Sequence, residues 1–229
     1  MRIGIIGAGH IGGTLTRRLT ALGHTVSVAN SRGPETLVGL AAETGATPLP
    51  VVETARSGEV VVVTIPLKNI PDLPRDLFKG TFGGVVVIDT CNYYPQRDGR
   101  IELIEAGLPE SRWVEQQLHR PVVKAFNNIY ARHLMEKGKP AGAPDRIALP
   151  VAGDDAAAKA VVMRLVDELG FDAVDEGGLD ESWRQQPGTP VYTTDLDAAG
   201  VRAALAEASM ERKPEFRASA ESSGQSRPA

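Results

Sequence analysis

The sequence predicts an α/β protein built on a doubly wound, mostly parallel sheet with a short C-terminal extension. Three observations carry that prediction. Short runs rich in β-branched residues, such as Val60 to Val63 and Val85 to Ile88, alternate with longer stretches whose apolar residues recur at helical spacing. The short runs are almost wholly apolar, as strands buried on both faces must be. A glycine-rich turn, Gly7-Ala8-Gly9-His10-Ile11-Gly12, stands between the first run and the first amphipathic stretch.

Taken in order, the first strand is expected over residues 2–6 and the first helix over 11–21, where Ile11, Leu15, Leu19 and Leu22 share one face and Arg17 and Arg18 the other. Gly23 ends that helix. Further strands are expected over 25–29, 46–49, 60–65, 85–89, 121–126, 146–152 and 171–174, and helices over 35–44, 69–77, 111–118, 131–137 and 155–169. The last of these helices has an Asp155 cap and a Gly170 stop. Residues 176–194, rich in Gly, Pro, Gln and Trp, read as a long loop with aromatic anchors, and the alanine-rich stretch 195–210 as a final helix. The tail 211–229, polar with two prolines, is expected to be disordered. The expected organisation is a cofactor-binding unit over 1–178, an extension over 179–210 that completes the site or a dimer interface, and the tail.

Composition narrows the function. The chain has 229 residues with 25 Lys+Arg against 29 Asp+Glu, a net charge of −4, and 42% hydrophobic residues, all ordinary for one globular domain. No basic block is present, which argues against nucleic-acid binding. The apolar runs are strand-length, far below the roughly 20 residues of a membrane span, and the opening MRIGIIGAGH is too short in its apolar part for a signal peptide. A cytoplasmic protein is expected. Cys91 stands alone and the four histidines are scattered, so neither a disulfide framework nor a metal site is expected.

The glycine turn matches G-x-G-x-x-G, and its setting between a strand and a helix, with a second strand after Gly23, makes it a Rossmann-type phosphate fingerprint. Gly7 permits the tight turn, Gly9 lets the pyrophosphate approach, and Gly12 lets the helix pack on the strand. The helix N-terminus supplies N–H groups and partial positive charge. An NAD site usually carries an acid about 20 residues further on to hold the ribose. Here that region reads Asn30-Ser31-Arg32-Gly33-Pro34-Glu35, with no acid before Glu35 and with an arginine and two side-chain donors suited to a 2′-phosphate. The cofactor expected is NADP(H).

With these motifs, the chain resembles the F420-dependent NADP oxidoreductase family, and also the reductase part of the STEAP metalloreductases. The resemblance spans residues 2–178. It rests on GAGHIGG, on Ser31-Arg32, on Thr64-Ile65-Pro66 after the fourth strand, on Val122-Val123-Lys124-Ala125-Phe126-Asn127, and on Val151-Ala152-Gly153-Asp154-Asp155. It implies that Gly7, Ala8, Gly9, His10, Ile11 and Gly12 hold the pyrophosphate and that Asn30, Ser31 and Arg32 hold the 2′-phosphate. It further implies that Thr64, Ile65, Pro66 and Leu67 cover the stretch towards the nicotinamide, with Ala125 beside that ring. The implied acceptor is coenzyme F420 or a flavin. Two departures stand out: the phosphate loop has one arginine, and residues 182–188 match the family's acceptor segment poorly.

Hydride transfer between two flat cofactor rings needs positioning rather than an acid or base. A rival pattern, Lys124-Ala125-Phe126-Asn127-Asn128, is similar to the catalytic Lys and Asn of β-hydroxyacid dehydrogenases, which makes Lys124 and Asn127 candidate catalytic residues for a small hydroxy acid or other carbonyl substrate. A non-catalytic NADP(H)-binding protein is the third reading. The segment from Thr90 to Pro95 is the best candidate for the acceptor side, with Thr90 and Asn92 expected as cofactor contacts, Asn92 bonding the nicotinamide ribose or the acceptor, and Tyr93 or Tyr94 stacking on a flat ring. A homodimer is expected.

Overall fold

The computed structural model describes residues 1–218. Its strands are β1 (Arg2–Ile6), β2 (Thr25–Ala29), β3 (Thr47–Pro48), β4 (Val60–Val63), β5 (Val86–Asp89), β6 (Val123–Lys124), β7 (Ala148–Ala152) and β8 (Asp172–Gly177). Among the described residues they form one sheet in the order β3-β2-β1-β4-β5-β6-β7-β8. Neighbours from β3 to β6 are parallel, β7 is antiparallel to β6, and β8 is parallel to β7. This is the mostly parallel Rossmann-type sheet that the pattern predicts, with the order reversing between β1 and β4.

The helices are α1 (His10–Ala21), α2 (Val38–Thr44), α3 (Val51–Ser57), α4 (Pro95–Asp98), α5 (Glu102–Glu105), α6 (Glu110–Leu118), α7 (Ala131–Glu136), α8 (Ala156–Glu168) and α9 (Ala198–Ala206). Strand side chains alternate between the two faces of the sheet. Ile3, Ile5, Val60, Val62, Val86 and Ile88 pack with Leu15 and Leu19 of α1 and Val162 and Leu165 of α8. On the other face Val63 and Val87 pack with Trp113, Val114 and Leu118 of α6, and Ile6 and Val61 with Ala55 of α3. Such two-sided burial is why the strands lack polar alternation.

Several expected bounds change for local reasons. The fourth strand stops at Val63, with one last ladder bond from Thr64 N to Ile6 O before the chain leaves the sheet. The sixth shrinks to Val123–Lys124, since Phe126 takes a left-handed φ of 62° and turns the chain. Instead of a helix over 69–77 there is a 3₁₀ turn, Leu67–Asp72, interrupted by Pro71. Helices α3, α4 and α5 were not foreseen; two of them are four residues long, too short for a periodic pattern. The loop expected over 176–194 contains the end of β8 and a 3₁₀ helix, Leu179–Gln185. The final helix narrows to α9, capped by Asp197, whose carboxylate accepts from Gly200 N at 2.8 Å.

The extension shares its core with the sheet: Val191, Val201, Ala204 and Leu205 pack on Ala148 and Val174. Disorder from Glu211 onward does not hold for the described part of that tail. Arg212 donates to the buried carboxylate of Glu110 at 2.6 Å, and Gln96 Nε2 donates to Glu215 O at 2.7 Å. A buried acid without a cation is costly, so the pairing fixes the chain there. The rest of that expectation, 219–229, lies outside the described residues.

Candidate functional site

Strand register gathers the predicted residues on one edge. Ile6 pairs with Ala29 on one side and Val63 on the other, Val63 with Asp89, and Asp89 with Lys124. The next residues in the chain, Gly7, Asn30, Thr64, Thr90 and Ala125, therefore follow the carboxyl ends of adjacent strands, where open parallel sheets bind ligands.

The glycine turn has the geometry of a phosphate cradle. Gly7 has φ 112°, and a Cβ there would lie 2.2 Å from Thr64 O; one on Gly12 would lie 1.9 Å from Gly7 O. Both positions require glycine for close packing of turn, strand and helix. A Cβ on Gly9 meets nothing within 4 Å, so only the ligand side of that residue is open. Helix α1 has no side-chain cap and no acid in its first turn. Its first backbone bond of helical type is Gly13 N to Gly9 O at 2.7 Å, which leaves the preceding amides available to an anion.

Beyond β2, Asn30 is a loop builder. Its Oδ1 accepts from Arg32 N at 2.9 Å and its Nδ2 donates to Thr36 Oγ1 at 2.8 Å. Its side chain is thus committed to the protein, which leaves Ser31 and Arg32 as the candidates for the 2′-phosphate contact expected there. Both are exposed, and the Arg32 guanidinium makes no hydrogen bond or ion pair among the described residues. Gly9, His10, Arg32 and Thr36 line one groove of about 730 Å³ that also takes Ala131 and Arg132 from α7. Sequence reading missed Thr36 and the α7 wall; neither carries a motif.

Further along the edge the expected contacts divide. Ile65 and Pro66 are accessible, whereas Leu67 and Ala125 are 0% exposed, so only their backbones can meet a ligand. Thr90 is buried with its hydroxyl donating to Val63 O at 3.3 Å. Asn92 and Asn127 are locked together: Asn92 Nδ2 donates to Asn127 O, and Asn127 Nδ2 to Asn92 Oδ1, each at 3.0 Å. Asn127 Nδ2 also donates to Gln185 O at 2.8 Å, bringing the extension onto the site. The left-handed turn at Phe126 is what places Asn127 there.

Lys124, a candidate catalytic residue, is enclosed by the protein. It is 0% exposed, 3.2 Å from Asp89 Oδ2, and it also donates to Cys91 O. Asp89 in turn accepts from Cys91 N and Ser111 Oγ, each at 2.8 Å. The ammonium is thus engaged by a buried pair and a backbone carbonyl. Tyr93 as a stacking residue is corrected. It is fully buried, and its hydroxyl lies 2.9 Å from both Gly99 O and Glu105 Oε1, with its one hydrogen to donate between them. Tyr94 remains half-buried, hydrogen-bonded to Tyr192, with its ring 6.4 Å from that of Phe216.

Behind Asn127 lies an unforeseen carboxyl. Burial pushes Glu176 up to about 8, only partly offset by the hydrogen bond from Gln185 Nε2. Its Oε1, with Asn127 Oδ1, Asn128 Oδ1, Ser182 Oγ and Gln185 Oε1, is buried and lacks a hydrogen-bond partner among the described residues. Cys91 is buried with its thiol held far above the ordinary range, and is chemically inert.

Residues 2–93 match the model of the NADP oxidoreductase family described as coenzyme F420-dependent. The match takes in less than half of the chain, and over that stretch the chain is similar to that family. An Escherichia coli protein, YjhV, is 47% identical over 80 residues, which cover 35% of this chain and 51% of that protein, so the match spans about half of this curated relative. The solved structure of the hypothetical protein SMa0349 from Sinorhizobium meliloti has a TM-score of 0.73 at 29% identity, covering 86% of this chain and 95% of that one. A protein of Arthrobacter assigned as an F420-dependent NADP reductase has a TM-score of 0.62 at 23% identity, covering 78% and 86%, and shares the fold. The family match includes the glycine turn, Ser31-Arg32 and Thr64 to Leu67 but ends before Lys124 and Asn127. This family is an oxidoreductase family, in keeping with the Rossmann-type sheet.

Proposed function

We propose that the protein binds NADP(H) and transfers hydride between it and a flat, flavin-like acceptor, with coenzyme F420 the acceptor favoured by the family. The observation that carries the cofactor half is the exposed, unpaired Arg32 beside Ser31 at the end of β2, with no acid in the position that holds an unphosphorylated ribose. The residues present fit the dinucleotide: an open Gly9, close-packed Gly7 and Gly12, free amides at the start of α1, and a groove lined by Arg32. When bound, the nicotinamide supplies the hydride.

The chain's own part is positional. The amides at the start of α1 orient the pyrophosphate, Arg32 holds the 2′-phosphate by charge-assisted hydrogen bonds, and the Asn92–Asn127 pair fixes the polar edge beyond β5 and β6. With Lys124 buried in its pair, a carbonyl dehydrogenase using that lysine is disfavoured.

The test follows absorbance of NADPH while F420, FMN, FAD, ferric chelates, aldehydes and keto acids are offered in turn. Turnover with F420 or a flavin is expected. Turnover with carbonyl compounds alone, abolished by Lys124→Met, refutes the acceptor half. Arg32→Ala is expected to weaken NADPH by about 10-fold or more and NADH little, from the worth of a charge-assisted contact. Equal affinity of the unmutated protein for both dinucleotides refutes the cofactor half.

A further inference from the structure

The family match ends at residue 93, yet one wall of the phosphate groove comes from α7, well beyond it. That helix is held firmly. Leu134 is buried, Arg18 Nη1 donates to Leu134 O at 2.7 Å and to Met135 O at 3.1 Å, and His133 and Lys137 pair with Asp195 at 2.9 and 2.7 Å. These contacts place Arg132 on the groove shared with Gly9 and His10. Its side chain is 81% exposed and, among the described residues, engaged only by Glu136 at 3.0 Å, an exposed pair one helical turn apart. Such pairs are weak and exchange readily for a phosphate.

Topology says which phosphate. Arg32 follows β2, while α7 follows β6, and β1 with the glycine turn stands between them in the sheet. The dinucleotide's diphosphate bridge belongs at that turn, between the two arginines. Resting on the NADP(H) reading above, we infer that Arg132 binds this diphosphate, a cationic contact supplied from outside the glycine-turn unit. In a chain of net charge −4, Arg17, Arg32 and Arg132 gather on the one groove, although Arg17 is held by Glu43 at 2.6 Å. Glu43 and Glu136 pair with two of the three, which leaves Arg32 as the arginine of the groove without an ion-pair partner among the described residues.

The two arginines then differ in what they recognise. Arg32 discriminates the 2′-phosphate, and Arg132 serves NADPH and NADH alike. The experiment titrates the full-length protein with each dinucleotide by calorimetry, for the unmutated chain, R32A, R132A and R132K. Arg132→Ala is expected to weaken both dinucleotides by one common factor of about 10, leaving their ratio unchanged, with Arg132→Lys recovering part of the loss and added salt shrinking it. Arg32→Ala changes the ratio instead. Unchanged binding by R132A, or a loss confined to NADPH, overturns the diphosphate contact while the cofactor reading survives. Failure of the unmutated protein to bind either dinucleotide overturns both.

Discussion

Glu176→Gln is the substitution whose effect follows most directly from burial. The Glu176 carboxyl sits behind Asn127 with Lys124, Glu181, Arg184 and Gln185 as its charged and polar surroundings, and burial raises it from 4.5 to about 8. Between those two pH values the folded protein keeps a proton that the unfolded chain releases. Raising the pH therefore destabilises the fold across that window, and the effect is complete once the pH passes the folded value. Glutamine keeps an oxygen for Gln185 Nε2 and cannot ionise. At about 1.4 kcal/mol per pH unit, the stability advantage of the glutamine variant should grow by about 3 kcal/mol between about pH 5.5 and about pH 8.5. That is a large share of a typical total of about 5–15 kcal/mol. Asp154, Asp175 and Asp195, all lowered by cationic or N–H partners, titrate at more acid pH and do not oppose it. Urea unfolding of both proteins at the two pH values measures the difference. An advantage that stays constant or falls with pH refutes the neutral buried carboxyl.

Three other substitutions test the site's construction. Gly9→Ala meets open space and should leave the unfolding midpoint almost unchanged while weakening NADPH, whereas Gly12→Ala, with its Cβ 1.9 Å from Gly7 O, should cost several kcal/mol of stability; unfolding and titration of both variants separate the cases. Lys124→Met strands the buried Asp89 carboxylate and should cost about 3–5 kcal/mol in denaturant unfolding; a variant as stable as the parent but unable to transfer hydride restores the catalytic reading. Arg212→Ala leaves Glu110, at 0% exposure, without its cation and should destabilise by about 3 kcal/mol, with unchanged unfolding as the contrary result.

What the sequence revealed and what it withheld divide along contact range. The glycine turn, its helix and the two strands around it occupy residues 2–29, and each is specified by neighbours within a few positions. The same holds for Arg32, since its meaning depends on a fixed distance from the fingerprint. Lys124 shows the opposite case. Its motif was legible, but its long-range pair with Asp89, 35 residues away, was not. The helix α7 wall and the Glu176 carboxyl are of this kind: nothing local marks an arginine or a glutamate that tertiary packing brings to a groove or a core.

That division bears on the acceptor. On the NADP(H) reading, the residues proposed to discriminate one dinucleotide from another, Ser31 and Arg32, lie in the locally encoded unit, within the family match that ends at residue 93. The polar groups nearest the end of β6, by contrast, come from Asn127, Asn128, Ser182 and Gln185, beyond that match, and several of their buried atoms have no partner among the described residues. A buried polar atom without a partner costs about 1–3 kcal/mol, so these groups are the part of the site with free energy to gain from a polar ligand. Two of them, Ser182 and Gln185, lie in residues 182–188, where the resemblance to the family is poorest. Acceptor choice should therefore follow the extension and leave the glycine turn indifferent: exchanging 182–188 for the segment of a relative should change which acceptor is reduced and leave NADPH affinity as it was.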